Sequence, residues 1–392
     1  MLATLISIIF VIVFALVFGT AALGFFPIIA LTAGFLILLI TPLIVGLTLL
    51  PLQAASVETS SKAMNMARRD PVQIVLAVVW IAFALFSFFT AVFGTYILFV
   101  IWIIWFGLSL DAIMLYIWRA AGFSDPYRLV KLHLRDGRRN FPPHRQRELC
   151  ASIDALAEVS LKAVYQKSLP LSTAVVDAME TLGKEYLDCV KDAESEEAGG
   201  RVNYTLGFLL HRLQMLFDLA AEDRLEPMAN QIILSTAKLT CAVAGYDTSL
   251  TSLPVHFLES FFGAAREYEL KEVTVNSSIV LHEMAKSLIE DPELRDKNLR
   301  DVLFSLIEQM EKLAKETFKE DKNTPISLLT EPFQDLKSLL EEKIPEFSGS
   351  KDVIATLNRV ITEFQALRGV LQSIPNIPGY SKEDESEEEP EE

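Results

Sequence analysis

One acidic residue, Asp111, lies inside a long apolar stretch of the chain. A carboxylate within a membrane is costly, so residues of this kind often bind ions or carry protons. Asp111 also lies about two helical turns before Trp118, near the expected membrane surface, where it would stay hydrated or pair with Arg119. Because residues 72–118 contain no other Asp, Glu, Lys, Arg or His, the hydrated or paired interpretation is the better one. Asp111 is nevertheless the candidate for an intramembrane functional acid.

No other group of residues has the types and spacing of a known catalytic or metal site. Cys150, Cys189 and Cys241 are isolated from one another and from His, so we expect buried thiols in a helical core. His282-Glu283 lacks the second His four residues later that a zinc protease needs. Glycine-rich phosphate loops and the nucleophile elbow of hydrolases are also missing. The sequence therefore predicts no enzyme, no catalytic residue, no metal and no cofactor.

The composition of the chain indicates two dissimilar parts. The chain has 392 residues, 51% of them hydrophobic, with 35 Lys and Arg against 51 Asp and Glu and a formal charge of -16. Its mean hydropathy is nevertheless +0.33, which is too high for a soluble domain that is this acidic. The two values together indicate a membrane part joined to an acidic soluble part. A pI near 4.9 argues against binding to nucleic acid.

The predicted membrane domain covers residues 1–118. Each of its four apolar stretches is near the length of about 20 residues that a helix needs to cross a bilayer. The stretches are residues 2–18, 25–50, 72–93 and 96–118. Uncharged turns join them in two tight hairpins. The first stretch could instead be a signal peptide, but it has no charged start and no cleavage site. Pro27, Pro42 and Pro51 are expected to bend or tilt the second span.

Residues 119–147 form a basic hinge after the last span. Its eight cations are Arg119, Arg128, Lys131, Arg135, Arg138, Arg139, Arg145 and Arg147. Positive charge marks the cytoplasmic side of a membrane, so we expect a multi-pass protein of the inner (plasma) membrane with both termini in the cytoplasm. Such a cluster also binds anionic lipid headgroups, although fixing the orientation would alone explain it. Gly and Pro in the hinge argue against one continuous helix.

Residues 148–374 have the apolar spacing of helices throughout. The pattern predicts nine helices in three units of three, with a period of about 70–80 residues. The protein is then all-α, and its cytosolic domain is a solenoid or a bundle. The predicted units are marked by turns that contain proline, residues 168–172, 251–255 and 323–327. Residues 375–392 are an acidic tail that we expect to be disordered.

One stretch of the helical domain, residues 153–187, resembles part of an uncharacterised family of bacterial and archaeal membrane proteins of unknown function. The resemblance lies in Ala157-Glu158-Val159-Ser160-Leu161-Lys162-Ala163, Pro170, Ser172-Thr173-Ala174 and Leu182-Gly183. The turn Tyr165–Pro170 departs from the Ser-Pro-Gly-Ile-Asn-Asp-Pro turn that is usual in that family. The resemblance implies N-terminal spans, a helical cytosolic region and a prokaryotic protein, and it implies no activity.

Two functions fit these features. The first is a non-enzymatic integral membrane protein whose helical domain acts as a scaffold or adaptor. The alternative is an oligomeric channel or transporter gated by that domain, which Asp111 and the proline-containing second span favour. The lack of a catalytic pattern favours the scaffold, whereas four spans are more than an anchor needs. The expected partners are membrane lipids and either another protein or further copies of the chain, and not nucleic acid.

Overall fold

A computed structural model describes residues 4–9, 26–58, 70–191, 196–294, 297–320, 325–343 and 349–373. These residues form helices and short connections, with no β-strand among them, as predicted for an all-α protein. The chain separates into two compact units, Met1–His133 and Leu134–Glu392. The boundary between them falls inside the predicted basic hinge.

The described part of the first unit contains three long helices. They are α1, Phe26–Glu58; α2, Pro71–Phe93; and α3, Tyr96–Gly122. α1 packs against both of the others, and α2 packs against α3. Residues 4–9 are also helical.

Three helical stretches among the described residues are long and apolar enough to cross a membrane. They are Phe26–Thr48, Pro71–Phe93 and Tyr96–Gly122. The structure thus contains three candidate spans and not the predicted four. The predicted first span, 2–18, lies outside the described residues except for 4–9.

The turn between α2 and α3 is as tight as the sequence predicts. Gly94 has a left-handed φ of 45°, and its N–H donates to the carbonyl of Thr90 at 3.0 Å. The hydroxyl of Thr95 then accepts from the backbone N–H three residues later and caps α3. Glycine takes this conformation at little cost, so it ends α2 and lets the chain reverse. By contrast, α1 continues through Pro42 and Pro51 without a break.

The polarity of the first unit is the reverse of that of a water-soluble protein. Large apolar side chains face outward, and Leu39, Val92 and Ile97 are 71%, 77% and 70% exposed. Polar groups face inward: the hydroxyl of fully buried Ser87 accepts from the indole N–H of Trp102 at 2.8 Å. Such an exterior is unfavourable in water, whereas in lipid it is the polar groups that need internal partners. This surface suits a lipid environment.

The sequence predicts that the basic hinge is interrupted, and the structure agrees. After α3 ends at Gly122, helix α4 covers Pro126–Arg139, and a short 3-10 turn covers Pro143–Arg145. Nine helices follow in the described residues. They are α5, Gln146–Tyr165; α6, Leu169–Val190; α7, Glu196–Glu222; α8, Glu226–Tyr246; α9, Ser252–Glu267; α10, Lys271–Glu290; α11, Arg300–Glu320; α12, Ile326–Lys343; and α13, Ser350–Ser373. All nine were predicted from the apolar spacing, to within two turns at each end.

The helices of the second unit stack in two rows. In the first row, α5, α7, α9, α11 and α13 each pack against the next; in the second row, α6, α8, α10 and α12 do the same. Most helices also contact their neighbour in the chain, which lies in the opposite row. Each helix therefore buries its apolar side against a few neighbours close in sequence, which is the organisation of a helical-repeat stack.

Polar contacts within each row reveal the length of the repeat. In the first row Lys312 bonds to Glu259, 53 residues earlier, and the side chains of Lys315 and Glu363 bond across 48 residues. In the second row the side chains of His282 and Asp335 are 53 residues apart in sequence. A separation near 50 residues corresponds to two helices. These contacts favour a unit of two helices, whereas the predicted unit has three helices and a longer period.

The turns between successive helix pairs repeat the same backbone geometry. Lys167, Arg224 and Glu269 have left-handed φ values of 56°, 55° and 57°. In each turn this residue donates its N–H three residues back, and the next residue donates five residues back. Three turns were predicted to mark the units. The turn at 168–172 adjoins the left-handed residue Lys167, whereas the turn at 251–255 lies inside the pair α8–α9. The turn at 323–327 is only partly described. Proline begins many helices, so it does not identify the unit.

Candidate functional site

Asp111 binds the N-terminal segment of the chain. Its Oδ2 accepts from the backbone N–H of Thr4 at 3.1 Å and from the Thr4 hydroxyl at 2.5 Å. The approach is close because of Gly107, one turn earlier, where a Cβ atom would lie 2.4 Å from Oγ of Ser7. A carboxylate that accepts from a helical backbone N–H and a hydroxyl resembles a helix cap. These contacts support a structural role for Asp111.

Arg119 has a different partner from the one suggested by its spacing from Asp111. Its Nη2 donates to Oδ1 of Asp70 at 3.0 Å, and its Nε donates to Oδ2 of the same carboxylate. Asp70 also accepts from the N–H of Val72 at 3.3 Å and so caps α2. This bidentate pair joins the start of α2 to the end of α3, and it reduces the availability of Arg119 for lipid.

Five of the predicted lipid-binding cations share one face of α4. Helical periodicity places them within about 100° of the circumference. They are Arg128, Lys131, Arg135, Arg138 and Arg139. Leu129, Val130, His133 and Gly137 lie on the opposite face and are buried. α4 is therefore amphipathic, with a basic face exposed to solvent. The sequence contained this spacing, but no helix was predicted here.

Two of the α4 cations already have a partner within the protein, and three do not have a carboxylate partner among the described residues. Arg128 lies over the ring of Trp118, 5.4 Å from its centroid. Arg138 donates twice to the carboxylate of Glu185, at 2.6 Å each, and these bonds raise the pKa of its guanidinium. Three other cations are exposed, and no described carboxylate lies within ion-pair distance of them: Lys131, Arg135 and Arg139.

The remaining two predicted cations lie beyond α4. Arg145 ends the 3-10 turn and Arg147 lies in the first turn of α5, and both are exposed. Neither one forms an ion pair with a carboxylate of the described ranges. The structure thus places five of the eight predicted lipid-binding cations on one helix face, and it leaves Arg145 on the connection and Arg147 at the start of α5.

A charged groove of about 550 Å³ lies along α9, α11 and α13. Lys312 bonds to Glu259 at 2.9 Å, while Lys315 and Arg359 bond to Glu363 at 3.0 and 2.6 Å. These bonds lower the pKa of both carboxyls, Glu259 and Glu363. Because the charges neutralise one another across neighbouring helices, the groove is better explained as a structural network than as a ligand site.

The sequence led us to expect that all three cysteines are buried, but only one of them is fully buried. Cys150 is buried and Cys241 is half-buried, and in both cases burial raises the pKa of the thiol. Cys189 is exposed. His282 lies 3.0 Å from Asp335 and joins α10 to α12. No group of three potential metal ligands occurs in the part of the chain that the structure describes.

Comparisons with known proteins assign no family. No protein-family profile matches the chain, and no curated protein sequence matches it. The chain is similar to a solved structure described as "Circular tandem repeat protein with novel repeat topology and enhanced subunit contact surfaces", with 12% identity, a TM-score of 0.40, and coverage of 88% of this chain and 86% of that one. A likeness at this level assigns no function, so the helical-repeat fold rests on the helix contacts described above. The resemblance to an uncharacterised membrane-protein family stays a prediction.

Proposed function

We propose that this protein is a membrane-anchored scaffold. The observation that carries the proposal is the two-row stack of the second unit, in which contacts run between close neighbours along the rows. Such a stack keeps long helix faces free along its length, and proteins of this kind use those faces to bind other proteins. The proposal assigns no catalytic residue, no metal and no cofactor to the chain.

The anchor in this proposal is the first unit. Its three apolar helices have exposed apolar surfaces and buried polar groups. A fourth span at 2–18 would place both termini on the same side. The cations of the hinge favour the cytoplasmic side of the plasma membrane for the helical domain.

The basic face of α4 would bind anionic lipid headgroups. Lys131, Arg135 and Arg139 are exposed, and no described carboxylate pairs with them. The ring of Trp118, which is 66% exposed, lies under Arg128 and would suit the membrane interface. Each cation near an anionic surface contributes about 1 kcal/mol. A cluster of this kind would hold the hinge close to the headgroups.

The channel alternative receives less support. A pore for ions needs polar groups that face its path, whereas Asp111 directs Oδ2 to two donors of Thr4. Gly107 brings the two segments into close contact at the same level. The scaffold therefore fits the contacts of Asp111 better than a transport role does.

Cys189 provides a test of the anchoring and of the orientation. It is exposed in the second unit, whereas Cys150 is buried. A membrane-impermeant maleimide should label the full-length protein in inside-out vesicles and not in intact spheroplasts, and Cys189→Ser should abolish the rapid labelling. Alkaline carbonate should leave the protein in the membrane pellet. Labelling of intact spheroplasts, or release by carbonate, would contradict the proposal.

A further inference from the structure

The second row of the stack carries an exposed apolar surface. Among the described residues of the second unit, the most exposed aliphatic side chains are Val275 at 66%, Leu328 at 60% and Ile279 at 56%. Val275 and Ile279 are one turn apart on α10, and Leu328 is in the first turn of α12. Large aliphatic side chains gain by leaving water, so a concentration of them on adjacent helices is characteristic of a binding surface.

The register of the helices places these side chains at one level. The bond between His282 and Asp335 sets an offset of 53 residues between α10 and α12. The same offset places Leu328 opposite Val275. On the other side, the bond from the N–H of Glu272 to Glu226 sets an offset of 46 residues between α8 and α10.

Leu234, which is 39% exposed, extends the surface onto α8. The offset of 46 residues places it opposite Val280, the residue that follows Ile279 on α10. Four aliphatic side chains on three adjacent helices thus form one surface, which we call the apolar stripe: Leu234, Val275, Ile279 and Leu328.

Acidic side chains border the apolar stripe. Glu272, Glu283, Glu331 and Asp335 are exposed within one or two turns of it on α10 and α12. The cations nearby are Lys271, which is exposed, Lys286, which is half-buried two turns after Ile279, and Lys238, which lies on α8 and is bonded to Glu180. The four exposed carboxylates outnumber the two of these cations that form no bond to a carboxylate of the described residues. The border is therefore acidic. It would repel anionic headgroups and attract Lys and Arg.

We propose that the apolar stripe binds an amphipathic helix of a partner protein that carries Lys or Arg along the edges of its apolar face. The inference rests on the scaffold function proposed above and specifies where and what the scaffold binds. A helix of this kind would place apolar side chains spaced by three and four residues on the stripe, and its cations would meet the acidic border. The acidic border favours this occupant over a lipid surface.

Photo-crosslinking of the full-length protein in its native membrane tests the proposal. Ile279→p-benzoyl-phenylalanine places the reactive group on the apolar stripe, and the site is exposed, so the fold should tolerate it. The expected product is a protein adduct whose crosslinked peptide, identified by mass spectrometry, is an amphipathic segment with Lys or Arg at its edges. Val275→Asp combined with Leu328→Asp should lower the yield at least tenfold. A lipid adduct, an adduct to a second copy of the chain, an acidic peptide, or no adduct would overturn the proposal.

Met215 provides the matched control. It is 37% exposed on α7, in the first row of the stack. Met215→p-benzoyl-phenylalanine should give no adduct to the same peptide. Protein adducts at position 215 with none at 279 would overturn the apolar stripe and leave the scaffold intact. Absence of protein adducts at both positions would count against the scaffold as well.

Discussion

Thr4 and Asp111 are joined by two hydrogen bonds across 107 residues of sequence. The donors are the backbone N–H and the hydroxyl of Thr4, and both bond to Oδ2 of the carboxylate. Inside an apolar environment such donors have no water to replace a lost partner. The pair therefore fastens the N-terminal helical segment to α3, and Asp111 serves to assemble the first unit.

Removing the carboxylate of Asp111 should destabilise the first unit. We expect Asp111→Leu to cost about 1–2 kcal/mol, because it leaves the donors of Thr4 unpaired. Asp111→Asn should cost less, since an amide oxygen still accepts. Reversible unfolding in lipid bicelles measures both, with Leu110→Ala, at an exposed position of the same helix, as the control. Ion flux through proteoliposomes should be the same for wild type and Asp111→Asn. A change in flux without a change in stability would show that Asp111 has a transport role.

In the turn between α5 and α6, a β-branched residue should lower the stability at position 167 and not at position 166. Lys167 has a left-handed φ, whereas Gln166 beside it is right-handed. Because a β-branched side chain is strained in the left-handed region, Lys167→Val should destabilise the protein by about 1–2 kcal/mol.

Gln166→Val is the matched control for this turn and should change the stability little. Arg224→Val should behave like Lys167→Val, since its turn has the same backbone. Thermal unfolding measures all three. Equal effects of Lys167→Val and Gln166→Val would contradict the repeated turn.

The charged network of the first row should lose its contribution to stability in acid. Bonds from Lys312 to Glu259, and from Lys315 and Arg359 to Glu363, lower the pKa of both carboxyls below their ordinary 4.5. Lowered pKa values mean that the stabilisation is present above the unfolded pKa and disappears as the pH falls through the folded pKa. Both side chains are over a third exposed, so the loss should be about 0.2–1 kcal/mol per pair.

Chemical unfolding at pH values from about 6 down to about 3 measures this loss. The double variant Glu259→Gln/Glu363→Gln should show a shallower decline of stability with falling pH than wild type. Glu267→Gln, at the exposed end of α9, is the control. A decline of equal slope in the double variant would show that the two carboxyls do not contribute.

Charge reversal on α4 should reduce the binding of anionic lipid. Arg135→Glu combined with Arg139→Glu removes two exposed cations from the basic face, each of which contributes about 1 kcal/mol. Native mass spectrometry should show fewer retained phosphatidylglycerol molecules, and high salt should have the same effect on wild type. Lys271→Glu is the control: it reverses an exposed cation at the start of α10 and should leave the lipid count unchanged. An unchanged count in the double variant would exclude α4 as the lipid contact.

The amphipathic spacing of the sequence was sufficient to predict the helices of the second unit, because each helix buries one side in the stack. It was not sufficient to predict their order in space. The repeat is defined by left-handed residues such as Lys167 and by contacts such as Lys312–Glu259. Neither leaves a fixed sequence signature, since Lys, Arg and Glu all occupy the left-handed position, and proline begins helices of both kinds.

For the candidate sites, too, the sequence was sufficient to identify the residues but not their partners. Asp111 and the cations of the hinge were visible in the sequence because charge near apolar stretches is uncommon. Their partners were not, since Thr4 and Asp70 are far from them along the chain. The apolar stripe was also missed. Val275 and Leu328 have the residue types of a core, and only the packing of α10 and α12 shows that they face outward.

The mass of the intact particle extracted from its native membrane into nanodiscs tests the scaffold most directly. Native mass spectrometry should find copies of the 43.8 kDa chain together with a second, soluble protein in a fixed ratio. It should also find that protein lost from the variant Val275→Asp/Leu328→Asp. A closed ring of identical chains with no other protein, accompanied by ion flux in proteoliposomes, would contradict the scaffold and favour a channel.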